Sequence, residues 1–193
     1  NINYGNFETS LKHSCFQVAT VMTTTGFSTA DFNSWPMLSK TILGLLMFVG
    51  ASAGSTGGGI KISRFVIAFK SVIRNIKKLL HPNSVESIKF DGKLLDEEVV
   101  RGTNNYFITI AAIFIVCLFL ISFDKGGDFE TNFTAVTACL NNIGPGFGKV
   151  GAAGNYAFYS YFSKIVLTFA MLIGRLEIYP ILLLFYPKTY IRR

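Results

Sequence analysis

The stretch Tyr106-Phe-Ile-Thr-Ile-Ala-Ala-Ile-Phe-Ile-Val-Cys-Leu-Phe-Leu-Ile-Ser-Phe123 carries no charge. It approaches the ~20 apolar residues that a helix needs to cross the hydrocarbon core of a bilayer. The whole chain agrees with it. Over 193 residues it is 50% hydrophobic and 15% charged, with a mean hydropathy of +0.43, whereas soluble domains carry about 25% charged residues. This apolar and aromatic content excludes disorder. The net charge of +7 does not mark a nucleic-acid binder. Its basic residues sit in one block and at the tail, not interleaved with aromatics along a face. The chain reads as an all-α integral membrane protein.

Outward from this span, Tyr156 to Tyr186 is a longer apolar stretch interrupted by Lys164, Arg175 and Glu177. As one helix it exceeds the bilayer thickness, so it is expected to tilt, protrude or kink, with Pro180 as the kink site. Pro36 to Val49 is apolar but too short to span. The stretch Gly50-Ala-Ser-Ala-Gly-Ser-Thr-Gly-Gly-Gly59 follows, and a helical pattern resumes from Ile60 to Leu80. Two half-apolar segments, Phe7 to Met22 and Phe129 to Leu140, are each about half a membrane thick if helical. They end in the loops Thr23-Thr-Thr-Gly-Phe-Ser28 and Asn141-Asn-Ile-Gly-Pro-Gly146.

The order half-helix, polar loop, long helix therefore occurs twice, with Gly26 and Gly144 separated by 118 positions. Residues 5–81 form a unit lacking its first helix and 103–190 a complete one. Residues 82–102 form a charged connection, with Pro82-Asn83 and Asp91-Gly92 as turn signals. Internal repeats are common in transport proteins and place ion sites at the repeat interface. Nine of the 18 Lys and Arg residues lie between Lys61 and Arg101, and three more at Lys188, Arg192 and Arg193. The positive-inside rule puts 61–101 and the C-terminus in the cytoplasm.

Irregular backbone at membrane depth survives only when buried or lining water. Loops rich in Thr, Asn and Gly, set behind half-helices, offer carbonyl and hydroxyl oxygens to a dehydrating cation, as potassium filters do. Gly26 and Gly144 permit the positive φ that turns successive carbonyls to one side. The helix C-termini behind them add negative potential. The bland alternative is a pair of surface turns. Two enzyme motifs fail: Gly146-Phe-Gly-Lys-Val-Gly151 follows no strand and has no acidic residue about 20 positions on. Gly54-Ser-Thr-Gly-Gly-Gly-Ile-Lys61 has Ile60 where a phosphate-binding loop needs its lysine. Neither paired carboxylates, nor a nucleophile with its base, nor a metal cluster is visible, so no enzyme and no cofactor is implied. Cys15, Cys117 and Cys139 are far apart and are expected to be buried thiols. The chain opens Asn1-Ile2-Asn3-Tyr4-Gly5 and reads as part of something longer.

Four motifs carry a resemblance: Thr23-Thr-Thr-Gly-Phe-Ser-Thr-Ala-Asp-Phe-Asn33, Gly54-Ser-Thr-Gly-Gly-Gly-Ile-Lys61, Leu140-Asn-Asn-Ile-Gly-Pro-Gly146 and Gly174-Arg-Leu-Glu-Ile178. Together they cover nearly the whole chain. With them the sequence resembles the Trk/Ktr/HKT superfamily of potassium transporters, on its bacterial Trk branch. The resemblance implies four helix–pore loop–helix repeats around one pore, related to potassium channels, of which this chain is the third (without its outer helix) and the fourth. It implies potassium-binding filter positions at Thr24, Thr25 and Gly26 and at Asn142, Ile143 and Gly144. The fourth loop departs from the Thr-Thr-Gly form. Residues 50–59, with Gly54, Gly57, Gly58 and Gly59, resemble the family's intramembrane gating loop, and Arg175 the arginine beside it. The alternatives are a plain helix break and an arginine snorkelling to the interface. The resemblance further implies a homodimer, a cytosolic nucleotide-binding regulatory subunit (TrkA-like) and an inner-membrane location. The function expected is potassium uptake, with sodium or mixed transport and a non-conducting membrane scaffold as rivals.

Overall fold

A computed structural model describes residues 5–50, 52, 54, 55, 57–82, 87–176 and 183. The chain forms α1 (Phe7–Met22), α2 (Met37–Leu46), α3 (Ile62–Leu80), a hairpin of β1 (Lys89–Phe90) and β2 (Lys93–Leu94), α4 (Glu97–Ile121), α5 (Phe129–Leu140) and α6 (Tyr161–Leu176). Short 3-10 turns at Phe32–Ser34 and Gly148–Val150 follow the two polar loops. The half-helices α1 and α5 begin and end where the sequence pattern puts them. Glu8 and Glu130 in their first turns suit the positive ends of the helix dipoles.

Other boundaries move. The helix α4 starts at Glu97, inside the stretch assigned to the 82–102 connection and before the 103 boundary of the second unit. Glu97 and Glu98 in its first turn favour a helix N-terminus there, so the helix outruns its apolar stretch. At 25 residues it is about 38 Å long. Among the described residues it is the one helix long and apolar enough to cross a membrane, by length and composition. The hairpin turns at Asp91-Gly92, both at positive φ (52° and 75°), as a two-residue hairpin turn requires. After the glycine-rich stretch the helix resumes at Ile62 instead of Ile60.

The apolar stretch from Tyr156 becomes helical at Tyr161. Before it, the Asp124 carboxylate accepts the Ser160 N–H at 2.6 Å, and Ser160 Oγ accepts the Ser163 N–H at 3.3 Å. Glu177, Pro180 and the basic tail at Lys188, Arg192 and Arg193 lie outside the described residues. The Ser160 hydrogen bonds hold the Asp124 carboxyl below its ordinary value. The folded-state value is thus lower than the unfolded one. The stabilisation is present above the unfolded value and is lost as pH falls through the folded one. Asp124→Ala is expected to lower the melting temperature at neutral pH, and the deficit should shrink on acidification, as thermal melts along a pH series would read.

The helix α5 is the centre of the molecule, with Thr131, Asn132 and every residue from Thr134 to Leu140 buried. It packs against α4 and α6, whose Ile110, Cys117, Ile121, Leu167 and Ala170 share one core with Val136 and Leu140. A second core joins the two units: Val21, Phe32, Trp35, Leu43 and Met47 pack on Ile143 and Phe147 of the other half. Polar contacts lie beside it. Asn33 Nδ2 donates to the Gly148 carbonyl at 3.1 Å while the Gly148 N–H donates to Asn33 Oδ1 at 3.0 Å, and Lys40 pairs with Glu130 at 2.9 Å. Two helices expose apolar residues: Met37, Leu38 and Leu45 on α2 and Tyr161, Phe162 and Ile165 on α6. Cys117 and Cys139 are buried, but Cys15 is exposed on α1, contrary to the expectation for all three thiols.

Candidate functional site

Each half-helix ends in the same backbone turn. In the first loop the N–H groups of Thr23, Thr24 and Thr25 donate to the carbonyls of Ala19 (2.9 Å), Val21 (3.2 Å) and Thr20 (3.0 Å). In the second, Asn141, Asn142 and Ile143 donate to Thr137 (3.0 Å), Cys139 (3.1 Å) and Ala138 (2.9 Å). The three bonds recur residue for residue at the 118-position spacing. The crossed pair in each set is a Schellman cap, which needs a left-handed residue just past the helix. That residue is Thr24 (φ 55°) in one loop and Asn142 (φ 56°) in the other. Asparagine tolerates this region, whereas a β-branched threonine there is an outlier of the kind that collects at functional sites. Two residues on, Gly26 (φ 83°) and Gly144 (φ 108°) are also at positive φ. The intervening Thr25 and Ile143 are not, so handedness alternates along each loop.

The two loops touch. A Cβ placed on Gly26 would lie 2.4 Å from the Ile143 carbonyl oxygen, and one on Gly144 would meet the Gly26 Cα at 3.8 Å. A cavity of about 420 Å³ opens beside them, lined by Thr24, Thr25, Asn142, Ile143 and Gly144. Five of the six sequence-predicted binding positions thus face one space, and the sixth, Gly26, forms the contact between the loops.

Each loop is braced from behind. Gln17, fully buried on α1, donates to Ser28 Oγ (2.6 Å) and the Ala30 carbonyl (3.1 Å). Thr134 Oγ1 accepts the Phe147 N–H at 2.9 Å, and the Tyr156 hydroxyl donates to the Gly144 carbonyl at 2.7 Å. Sequence reasoning did not find these braces. The sequence signal for Gln17 and Thr134 was a polar side chain on an otherwise packed half-helix; Tyr156 had none.

The glycine-rich segment is drawn together at its neck, where the Gly50 N–H donates to the Ile60 carbonyl at 2.9 Å and Val49 bridges Ile60. Its tip sits against both loops. The Gly58 N–H donates to Thr24 Oγ1 at 3.0 Å, and a Cβ on Gly58 would lie 2.2 Å from the Asn141 carbonyl oxygen. Gly59 is at φ 77° beside Gly50 and the Asn141 amide oxygen, and that buried oxygen has no hydrogen-bond partner among the described residues. Of the four predicted gating glycines, Gly58 and Gly59 contact the loop bases and Gly57 adjoins them. Gly54 (φ 85°) faces open space.

Gly174 explains the start of the last motif. A Cβ there would be 1.8 Å from the Leu140 carbonyl oxygen, so α6 crosses the end of α5 with no room for a side chain. Asn142 Nδ2 donates to the Met171 carbonyl at 3.2 Å in the same crossing. Gly58 and Gly174 thus both approach the junction of α5 with the second loop, and Arg175, next to Gly174 in the last turn of α6, is exposed.

A family model described as TrkH, cation transport protein, matches residues 5–191. The chain is 40% identical over 187 residues to the Trk system potassium uptake protein TrkH of Salmonella typhimurium strain LT2, covering 97% of this chain and 38% of that protein. It is 38% identical over 176 residues to the Trk system potassium uptake protein TrkG of Escherichia coli K12, covering 91% of this chain and 36% of that one. The crystal structure of the potassium transporter TrkH from Vibrio parahaemolyticus superposes with a TM-score of 0.86 at 37% identity, over 97% of this chain and 40% of the other. The chain thus spans well under half the length of these relatives. With the family model matched over nearly its whole length, the chain belongs to the TrkH family of cation transport proteins.

Proposed function

We propose that this chain supplies two adjacent quarters of a potassium-selective filter, together with the loop that gates it, in a multi-pass membrane protein that takes up potassium. The observation that carries the reading is the repeated turn. Thr24–Gly26 and Asn142–Gly144 share one alternating backbone, lie edge to edge, and stand at the negative ends of α1 and α5. Carbonyl oxygens from such a pair, turned to a common axis, would supply the chemistry that replaces a potassium hydration shell. The exposed apolar faces of α2 and α6 support a lipid or protein surround, because water-facing surfaces rarely carry such patches. A filter glycine in both loops favours potassium over sodium.

In this reading residues 5–81 are the third repeat without its outer helix and 103–190 belong to the fourth, whose first helix starts at Glu97. Thr24, Thr25, Gly26, Asn142, Ile143 and Gly144 form the filter, and Gly54, Gly57, Gly58, Gly59 and Arg175 the gate. Segment 61–101 and the C-terminus face the cytoplasm, where the basic surface meets a nucleotide-binding regulatory subunit (TrkA-like), and the intact protein is a homodimer. Rubidium uptake by cells lacking their own potassium uptake systems tests the reading. The intact protein carrying this chain should restore uptake, and a membrane-expressed protein that restores none would be a scaffold. Uptake of sodium as fast as rubidium would favour the sodium carrier.

Arg175 gives a further prediction. At an effective dielectric of ~20, a positive charge about 6 Å from a potassium ion opposes it by ~3 kcal/mol. Arg175→Ala is therefore expected to raise conductance several-fold. A variant that expresses normally and conducts like the parent would remove the barrier role and leave Arg175 as an interfacial anchor.

A further inference from the structure

Lys61 breaks a local rule. It is the residue immediately before α3, at the N-cap, with no side-chain capping bond. A cation there faces the positive end of the helix dipole, where carboxylates and hydroxyls are favoured. Its side chain does not escape into solvent. The ammonium turns back into the glycine-rich segment and donates to the Ser55 carbonyl at 2.7 Å and the Gly57 carbonyl at 2.6 Å. Among the described residues no carboxylate forms an ion pair with it, so these two carbonyl dipoles supply its compensation.

The segment needs such an anchor. A run with glycines at 50, 54, 57, 58 and 59 loses much backbone freedom when held in one shape. Two of its fastenings are neutral hydrogen bonds, Gly50 N–H to the Ile60 carbonyl and Gly58 N–H to Thr24 Oγ1. The Lys61 contacts are charge-assisted, roughly twice as strong as neutral ones. They grip the carbonyl directly before Gly58, the residue that abuts the filter loops.

We propose that Lys61 is the positioning residue of the gate: its ammonium, bound to the Ser55 and Gly57 carbonyls, holds the glycine-rich segment under Thr24, and conduction requires that grip to release. This rests on the reading of 50–59 as a gate. The ammonium gives those carbonyls the single positive charge that a potassium ion would otherwise bring, so the closed segment is satisfied without an ion. Replacing the ammonium leaves the carbonyls unpaired and favours the open shape.

The test uses the intact transporter in proteoliposomes without its regulatory subunit, with rubidium and sodium flux measured per quantity of incorporated protein. Lys61→Met is expected to raise rubidium flux roughly tenfold, the size of shift that loss of a charge-assisted hydrogen bond gives a two-state element. Lys61→Arg, which keeps charge and donors, should stay near the parent. The rubidium-to-sodium ratio should not change in either, because neither substitution alters a residue of the filter loops. Lys61→Cys should conduct like Lys61→Met and fall back towards the parent when an aminoethyl methanethiosulfonate restores an ammonium. The parent, treated in parallel, controls for Cys15, Cys117 and Cys139. Parent-level flux in Lys61→Met, beside raised flux in a Gly57–Gly59 deletion, would overturn the role of Lys61 and leave the gate standing. Parent-level flux in both would overturn the gate as well. Equal rises in the Met and Arg variants, or no fall on aminoethylation, would show that the ammonium is not the fastening.

Discussion

Gly26→Ser is expected to lower potassium-over-sodium discrimination by about an order of magnitude or more, as a lost filter geometry of even ~1.4 kcal/mol would give. Two independent conflicts act at this residue. Its φ of 83° is strained for any side chain, and the added Cβ would lie 2.4 Å from the Ile143 carbonyl oxygen, well inside van der Waals contact. The first loop relieves that clash by moving away from the second, so in the proposed filter one substitution would widen a shared edge and disturb two quarters. Gly144→Ser meets only the first conflict among the described residues, where the nearest neighbour of its added Cβ is the Gly26 Cα at 3.8 Å. The serine at Gly26 should therefore be the more damaging of the two. Bi-ionic flux measurements on the intact protein would decide it. A parental rubidium-to-sodium ratio in Gly26→Ser would take Gly26 out of the filter.

Deleting Gly57-Gly58-Gly59 is expected to raise ion flux without the regulatory subunit by roughly tenfold or more, the change that ~1.4 kcal/mol makes in a gating equilibrium. The deletion removes the Gly58 N–H that bonds Thr24 Oγ1 and the Gly57 carbonyl that holds Lys61. It also removes Gly59, whose positive φ lets the returning strand pass Gly50. A segment so shortened cannot reach the loop bases while its neck stays closed at Ile60. If 50–59 is only a break between α2 and α3, the deletion should leave flux equal or lower at normal membrane expression.

The parts of the molecule legible in the sequence are those set by short-range chemistry. The ends of α1 at Met22 and α5 at Leu140 follow from Thr and Asn runs that cannot continue an apolar helix and from the glycines beyond them. The equivalence of the loops follows from their spacing, and it reappears as three matching hydrogen bonds. The left-handed Thr24 was not legible, because nothing in a threonine announces a conformation that a β-branched residue avoids. Nor was the early start of α4, since the apolar pattern begins at Tyr106 while acidic residues at its positive end extend the helix back to Glu97.

What the sequence hides most completely is contact across distance. Lys61 stood in a quoted motif, but its position suggested positive-inside charge, not an ammonium folded back on Ser55 and Gly57. Gly174 was visible as a motif residue, yet its reason is the Leu140 carbonyl of another helix, 34 positions earlier in the chain. Cys15 is exposed because, among the described residues, none covers this side of α1. Composition around it is apolar, which is why the thiol looked buried.

The most direct measurement of the central claim is the position of bound ions in crystals of the intact transporter grown in rubidium or thallium salts. The account predicts anomalous density on an axis faced by both loops, within coordination distance of backbone oxygens between Thr24 and Gly26 and between Asn142 and Gly144. Ions bound elsewhere along the pore, with these two loops facing lipid or protein instead, would contradict it.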